Sequence, residues 1–362
     1  QFLVFYLKHL PAAMPHFDPK IHTTTDVVRE VIIPETAHQQ CAYAVKMMGE
    51  RAIRPQKIVT HTWSNRFQHL IAAILADSLE YQSYSSIAIL LEHDIPALYR
   101  LLSPAVLAKT YWVCAFSVNQ HSGICAANPA QSKDPVTGML HQVCHCQAHK
   151  YFNDTPPLRA DGKSIKCEMN KFDDMMAFLA ATDTSFSQVI AVDRAFALFN
   201  RCWCVAELAV ADSMGVEKHL KIVSRDDLER KTEQLHNLKI QEMKASRAED
   251  VTEILEKVGD AELFNANLQE MLFGRGGLFG SWKGLDPHQE AAKIGKTAFF
   301  EAAVTRAISL KTNRTKSSEL HPTTAAIEMT PDCKVEDVAQ FDETTTSDFL
   351  PPSSLPPPPQ AR

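Results

Sequence analysis

"QVIAVDRAFALFNRCWCVAELAVADSMGVEKHLKIVS", Gln188 to Ser224, decides the fold. It opens on "QVIAVD" (Gln188 to Asp193), a compact, β-branched run bounded by polar residues, which reads as a buried strand. "AFALFNRCWCVAELAVADSMG" follows with apolar residues at a period of about 3.6 and reads as a helix. "HLKIVS" (His219 to Ser224) returns to strand. Two strands with a helix between them are the unit from which parallel sheets are built.

The same alternation extends outward. "KIVTH" (Lys57 to His61), "YWVCAFSV" (Tyr111 to Val118) and "NLKIQE" (Asn237 to Glu242) are further strand-like runs. Between them, "RFQHLIAAILADSLEYQ" and "CEMNKFDDMMAFLAAT" carry helical periodicity. The expected fold is α/β: a doubly wound, mostly parallel sheet of about five strands, flavodoxin-like in type, with helices added at the C-terminal end. In that C-terminal part, Ser246 with Glu249 has the spacing of a capping box, and Val251, Ile254, Leu255 and Val258 form one apolar stripe. A glycine-rich joint, "GRGGLFGSWKG", precedes another amphipathic run, residues 288–310. Thr, Ser and Pro then dominate to the end, a composition that cannot offset its ordering entropy.

The expected organisation is therefore an N-terminal extension (1–56) packed on the main domain, an α/β domain (57–245) with a Cys/His-rich insertion at about 121–170, a helical portion (246–310) and a disordered tail (311–362). Within the extension, "TTTDVVREVIIPET" fits strand by its β-branched residues and helix by Asp26, Arg29 and Glu30, and both readings stay open.

A chain of 362 residues, 45% hydrophobic, can bury a full core. With a net charge of −6 it has no basic surplus, so nucleic acid is not an expected partner. No apolar run reaches the roughly 20 residues of a membrane span, and "QFLVFYLKHL" is interrupted by Lys8. No membrane association is expected. Nine cysteines, an odd number spread over a long chain, fit reduced thiols better than a disulfide framework, and the expected compartment is cytoplasmic. The chain begins with Gln, so a processed or truncated start would hide any targeting peptide.

Two constellations carry chemistry. In the 200–211 segment, Glu207 has Trp203, Cys204, Val210 and Ala211 as its helical neighbours and no basic residue among them. At the carboxyl edge of a sheet such a carboxylate faces a ligand; on a half-buried helix it simply faces solvent. The second constellation is "HQVCHCQAHK" (His141 to Lys150), with Cys125 before it and Cys167 after. This density of thiols and imidazoles suits zinc, although Cys144 and Cys146 are spaced C-x-C. An extended chain puts Cys144 and Cys146 on one side with Cys125 or Cys167; a helical one aligns His141, His145 and His149. The loop-like flanks favour the extended version, with His141 and His149 as alternative ligands and the zinc structural. A polar loop that happens to hold several His and Cys is the plain alternative.

"VIAVD" followed by "FNRCWCVAEL" resembles the strand, loop and "WCxxEL" helix of TIR domains, and "IVTHTW" resembles their first strand. "YWVCAFSVNQH" is similar to the "W-I-D-x-x-C-I-N-Q" segment of the HET (heterokaryon incompatibility) domain, a TIR-like module. The resemblance covers about Lys57 to Glu242. It implies a signalling domain that binds nucleotide and, in enzymatic members, hydrolyses NAD as a substrate at the nicotinamide–ribose bond, with Glu207 at the matching catalytic position. His61, Trp63, Arg66, Asn119, Gln120 and Trp203 are the residues expected around the ligand. Cys202 stands where Ser is frequent, and Cys114 replaces the carboxylate of "W-I-D". Many such modules act through self-association or protein partners instead, so a non-catalytic scaffold with a zinc-binding insertion is the rival expectation.

Neither a P-loop nor a Rossmann dinucleotide site is expected. "HTWSNRF", after the first strand, has no glycine, and Gly274, Gly276, Gly277 and Gly280 follow a helical run without the P-loop Lys and Ser/Thr.

Overall fold

Four of the strand-like runs pair in parallel: β1 (Lys57–His61), β2 (Tyr111–Val113), β3 (Ser187–Ala191) and β4 (Glu217–Lys221), in the order β2-β1-β3-β4. The computed structural model describes residues 1–49, 51–151, 172–245 and 248–280, all within the unit Gln1–Arg314. Cys167, Ser246, the expected 288–310 helix and the tail from 311 lie outside the described residues.

Register is continuous across the sheet: Val59 pairs with Val113 and Val189, and Val189 with His219. The chain leaves β1 toward β2 and then crosses back to β3, so strand order reverses between β1 and β3. In an open parallel sheet, that reversal opens a crevice at the carboxyl ends of the strands.

Alternation along the strands fills both faces. Val59, Val113, Val189 and Ala191 join one core with the helix Phe67–Ser78, all of whose residues are buried. On the other face Ile58 and Trp112 pack with Met176, Leu179 and Ala211, while Ile190, Val192, Leu220 and Ile222 pack with the helix Cys202–Ser213 and the helices beyond it. Buried on all sides, the 67–78 helix holds one charge, Asp77, whose carboxylate meets Lys57 Nζ at 2.8 Å, Lys221 Nζ at 3.2 Å and the Tyr111 hydroxyl at 2.8 Å. Burial alone would raise that carboxyl, but the two lysines and the phenol hold it below its ordinary value.

Two strand expectations are corrected. The run from Tyr111 is strand only to Val113; Cys114–Ser117 turns into a short helix. Asn237 to Glu242 is not a fifth strand: Ile240–Glu242 is a 3-10 turn, and the Ile240 N–H goes to Asn265 Oδ1 at 2.9 Å instead of to a neighbouring strand. A side-chain acceptor on the helix Ala261–Phe273 thus outcompetes the ladder.

The ambiguous N-terminal run is helical. Residues 24–36 form a helix with a π-helical middle (Val28–Ile32), started by a capping box between Thr23 and Asp26. Burial of Val27, Val28, Val31 and Ile32 in the first core overrides their β propensity. A second such helix, residues 2–13, lays Phe5 against Tyr43, Phe67 and Phe116 edge to face. At the other end, the helices Ala248–Val258 and Ala261–Phe273 lead into a turn where Gly276 has φ +88°, a conformation that suits glycine, and Phe279 folds back into the core. No helix among the described residues is long and apolar enough to cross a membrane.

Candidate functional site

The loop after β3 is built around Asp193. Its carboxylate accepts the backbone N–H groups of Ala195 and Ala197 at 3.0 Å and of Leu198 at 2.9 Å, fixing the turn that feeds the 202–213 helix. The helix start is fixed from outside, where Cys202 N–H donates to Lys244 O at 3.0 Å and Lys244 N–H to Asn200 O at 2.9 Å. Glu207 therefore has a set position over the sheet. The Thr60 hydroxyl, near the carboxyl end of β1, donates to Glu207 Oε2 at 2.7 Å and accepts from Gln188 Nε2 of β3 at 2.8 Å. A half-buried carboxylate is thus held beside the β1/β3 crossover by Thr60 of β1, which Gln188 of β3 braces in turn.

His61 and Trp63 gather beside it through Cys114. Trp63 Nε1–H donates to Cys114 Sγ at 3.2 Å, and that sulfur lies 3.8 Å from His61 Nε2, whose other nitrogen bonds Val59 O at 3.2 Å. Burial drives this group to its uncharged forms: the His61 imidazole is pushed down to about 4, and the Cys114 thiol up to about 12, with the charge of Glu207 a further upward influence on the thiol. Arg66 is exposed at the amino end of the 67–78 helix.

The other expected ligand contacts point elsewhere. Trp203 donates to Asp250 Oδ2 at 3.1 Å, which ties its indole to the C-terminal helices. Asn119 donates to Gln40 O at 2.8 Å and caps the next turn by accepting His121 N–H at 3.1 Å. Gln120 is buried, clamping Cys114 O at 3.1 Å. An open cleft of about 1430 Å³ lies at the amino-terminal edge instead, lined in part by Lys57, Asp77, Lys109, His219 and Lys221, and Glu207 is not part of it.

A second centre forms in the insertion. Residues 141–150 are without helix, and Cys144 and Cys146 turn to the same side, toward His121 and Cys125. Cys125 Sγ lies 3.6 Å from Cys146 Sγ; His121 Nδ1 lies 3.7 Å from Cys144 Sγ and 3.5 Å from Cys146 Sγ. All four ligand atoms fall within 4.8 Å of one another. Backbone bonds stitch the two chain segments together, with Cys144 N–H to Cys125 O at 2.8 Å and Tyr151 N–H to Ser122 O at 2.7 Å. Lys150 Nζ reaches Cys125 Sγ at 3.2 Å and His121 O at 2.5 Å. Burial pushes the Cys125 thiol up; at Cys146 burial is outweighed by the Ala148 backbone N–H and the neighbouring thiols, which bring it below the ordinary thiol value. These four residues can hold a metal ion.

His121 was missed as a ligand because "VNQH" reads as a strand end at the edge of the sheet. Its spacing of four from Cys125 was the available signal. His141 and His149, the expected alternatives, are used otherwise: His141 Nε2 bonds Asp26 Oδ1 at 2.9 Å and His149 packs on Tyr151.

A further group, invisible in sequence because Asp134 lies over 100 residues from His16 and His22, joins the N-terminal segment to the insertion. His22 Nε2 meets Asp134 Oδ2 at 2.8 Å, and His16 Nε2 lies 3.1 Å from the same oxygen and 3.2 Å from Glu30 Oε2. Asp134 Oδ1 accepts Val136 N–H at 2.9 Å and Thr137 N–H at 2.6 Å.

Comparison of the chain with protein-family models, with curated proteins and with solved structures gave no match.

Proposed function

We propose that this chain is a TIR-like signalling domain of flavodoxin-like type that binds a nucleotide at the carboxyl edge of its sheet and hydrolyses NAD through Glu207. The observation that supports this reading is the Thr60–Glu207 hydrogen bond of 2.7 Å across the β1/β3 crossover, where open parallel sheets bind ligands. In the proposed reaction the ribosyl–nicotinamide bond breaks heterolytically and nicotinamide leaves neutral with the bonding pair. Water adds to the ribosyl carbon and releases its proton to solvent. The Glu207 carboxylate stabilises the oxocarbenium-like centre between these events. Thr60 aims the carboxylate, and Arg66, at a helix amino end, meets a phosphate. Trp203 and Asn119 take no part, since both are committed to other contacts.

Nicotinamide release by the purified full chain tests this reading. Wild type releases it, and Glu207→Gln, which keeps a partner for Thr60, is slower by about 100-fold or more. A folded wild type that releases none under self-associating conditions rules catalysis out.

The rival reading, a non-catalytic module that presents surfaces to itself or to protein partners, draws support from the insertion. Its thiol-rich set suits zinc, which we propose as a structural ion there. Stoichiometric zinc in the reduced protein supports this assignment, and a metal-free folded sample refutes it.

A further inference from the structure

The geometry points to His121, through Nδ1, as the fourth ligand of a closed zinc site with Cys125, Cys144 and Cys146, oriented by Thr36 so that the ion bolts the 24–36 helix to the insertion. This rests on the zinc reading above and adds to it the ligand set, the ligating atom and the element that the metal secures.

The first argument is metric. A tetrahedral ion with Zn–S of about 2.3 Å and Zn–N of about 2.0 Å needs its donors about 3.5 to 3.8 Å apart. Cys125 Sγ–Cys146 Sγ, His121 Nδ1–Cys144 Sγ and His121 Nδ1–Cys146 Sγ are 3.6, 3.7 and 3.5 Å, and the remaining pairs lie within 4.8 Å. The Cys125–Cys146 sulfur separation is also far beyond a disulfide bond, and the cysteines are free.

The second argument is the tautomer. Thr36 Oγ1 donates its single proton to Ile32 O at 2.6 Å, so toward His121 Nε2, at 2.9 Å, it can only accept. The Nε2 atom therefore carries the hydrogen, and the lone pair is left on Nδ1, which faces the sulfurs. A metal-ligating histidine is oriented in this way by whatever its other nitrogen bonds.

A third argument concerns the supporting helix. One turn pair before Thr36, on the same 24–36 helix, Arg29 Nη1 donates to Ala127 O at 2.8 Å and to Ile124 O at 3.1 Å, gripping the turn that carries Cys125. The helix thus contacts both ends of the His121–Cys125 half of the site. Three thiolates and a neutral imidazole around a divalent ion leave one negative charge, and Lys150 supplies the matching positive one. Four protein donors leave no open position, so the site is structural.

The test is zinc-edge X-ray absorption on the reduced full chain, together with zinc titration against a chelating dye. The expected shell is three sulfurs and one nitrogen, with one zinc per chain. Cys167→Ser leaves affinity unchanged, whereas Thr36→Val weakens it about ten- to a hundredfold and Thr36→Ser restores it. A four-sulfur shell, or loss of zinc in Cys167→Ser with retention in His121→Ala, overturns this ligand set while the zinc reading survives. A wild type that binds no zinc removes both. The wild-type shell decides the matter even if His121→Ala fails to fold.

Discussion

Two clusters of metal-type residues tie the N-terminal helices to the insertion, and the same kind of side chain plays opposite parts in them. At His121 the far nitrogen gives its hydrogen to Thr36, and the near one keeps a lone pair for the sulfurs. At His22 the far nitrogen, Nδ1, accepts the backbone N–H of Asp18 at 2.7 Å. A backbone N–H can only donate, so the His22 hydrogen sits on Nε2 and is given to Asp134. Although His16, His22 and Asp134 lie within metal-binding distance of one another, His22 has no lone pair to offer them. Composition alone does not separate a ligand set from a hydrogen-bonded clasp. The group behind each ring does.

The largest effect that can break this contrast is metal removal. At free zinc about 1,000-fold above its dissociation constant, the ion stabilises the folded state by about 4 kcal/mol. A strong chelator should therefore lower the thermal midpoint by roughly 10 °C in a domain of this size. Cys144→Ser should abolish the response, and His22→Ala should leave it intact. A chelator response that survives Cys144→Ser and disappears in His22→Ala would reverse the two assignments.

Next in size is Asp134→Ala. It strands the His22 Nε2–H and the Val136 and Thr137 N–H groups, all paired to one buried carboxylate. The expected loss is about 3 kcal/mol by denaturant unfolding, with zinc content unchanged. Co-loss of zinc would mean that the clasp and the thiol site are one cooperative unit.

How much of this could be read from the sequence follows the range of each interaction. β1 and β3 were legible because their β-branched runs are buried on both faces, which makes pattern and environment coincide. β4 is an edge strand with an exposed start, and only the buried Leu220 and Ile222 toward its end gave it a strand-like pattern. "NLKIQE" has the same local pattern, and only Asn265, 25 residues downstream, turns it away from the sheet. The 24–36 helix stayed open for the converse reason: Val and Ile point locally to strand, and the core that claims them is assembled from distant segments. In the site, Cys144 and Cys146 announce themselves by density, and Cys125 by proximity. His121 offered only its spacing of four from Cys125, because Thr36, the residue that fixes its tautomer, is 85 positions away. Glu207 stood out because no basic residue stands three or four positions from it, and the sheet residue that bonds it, Thr60, is 147 positions distant.

The smallest effect probes the charge state of the clasp. Burial raises the Glu30 carboxyl above its ordinary value, and the nearby Asp134 raises it further, while Asp134 itself is held low against burial by the Thr137 and Val136 N–H groups and by His22. The two then act on stability with opposite sign. A depressed carboxyl such as Asp134 contributes stability that is complete above the unfolded value of about 4 and is lost as pH falls through its lower folded value. A raised one such as Glu30 takes up its proton more readily when folded. It costs stability at neutral pH, and the cost is relieved as pH falls through the raised value. Glu30→Gln should therefore be at least as stable as wild type at pH 7, and the difference should close as pH falls through the raised Glu30 value, as followed by urea titrations. A variant that is instead weaker than wild type at pH 7 would mean that Glu30 serves as counter-ion to charged imidazoles at His16 and His141, its neighbours at 3.2 and 3.0 Å. The clasp would then be an ionic one, and the contrast with the neutral, lone-pair chemistry of His121 would be sharper still.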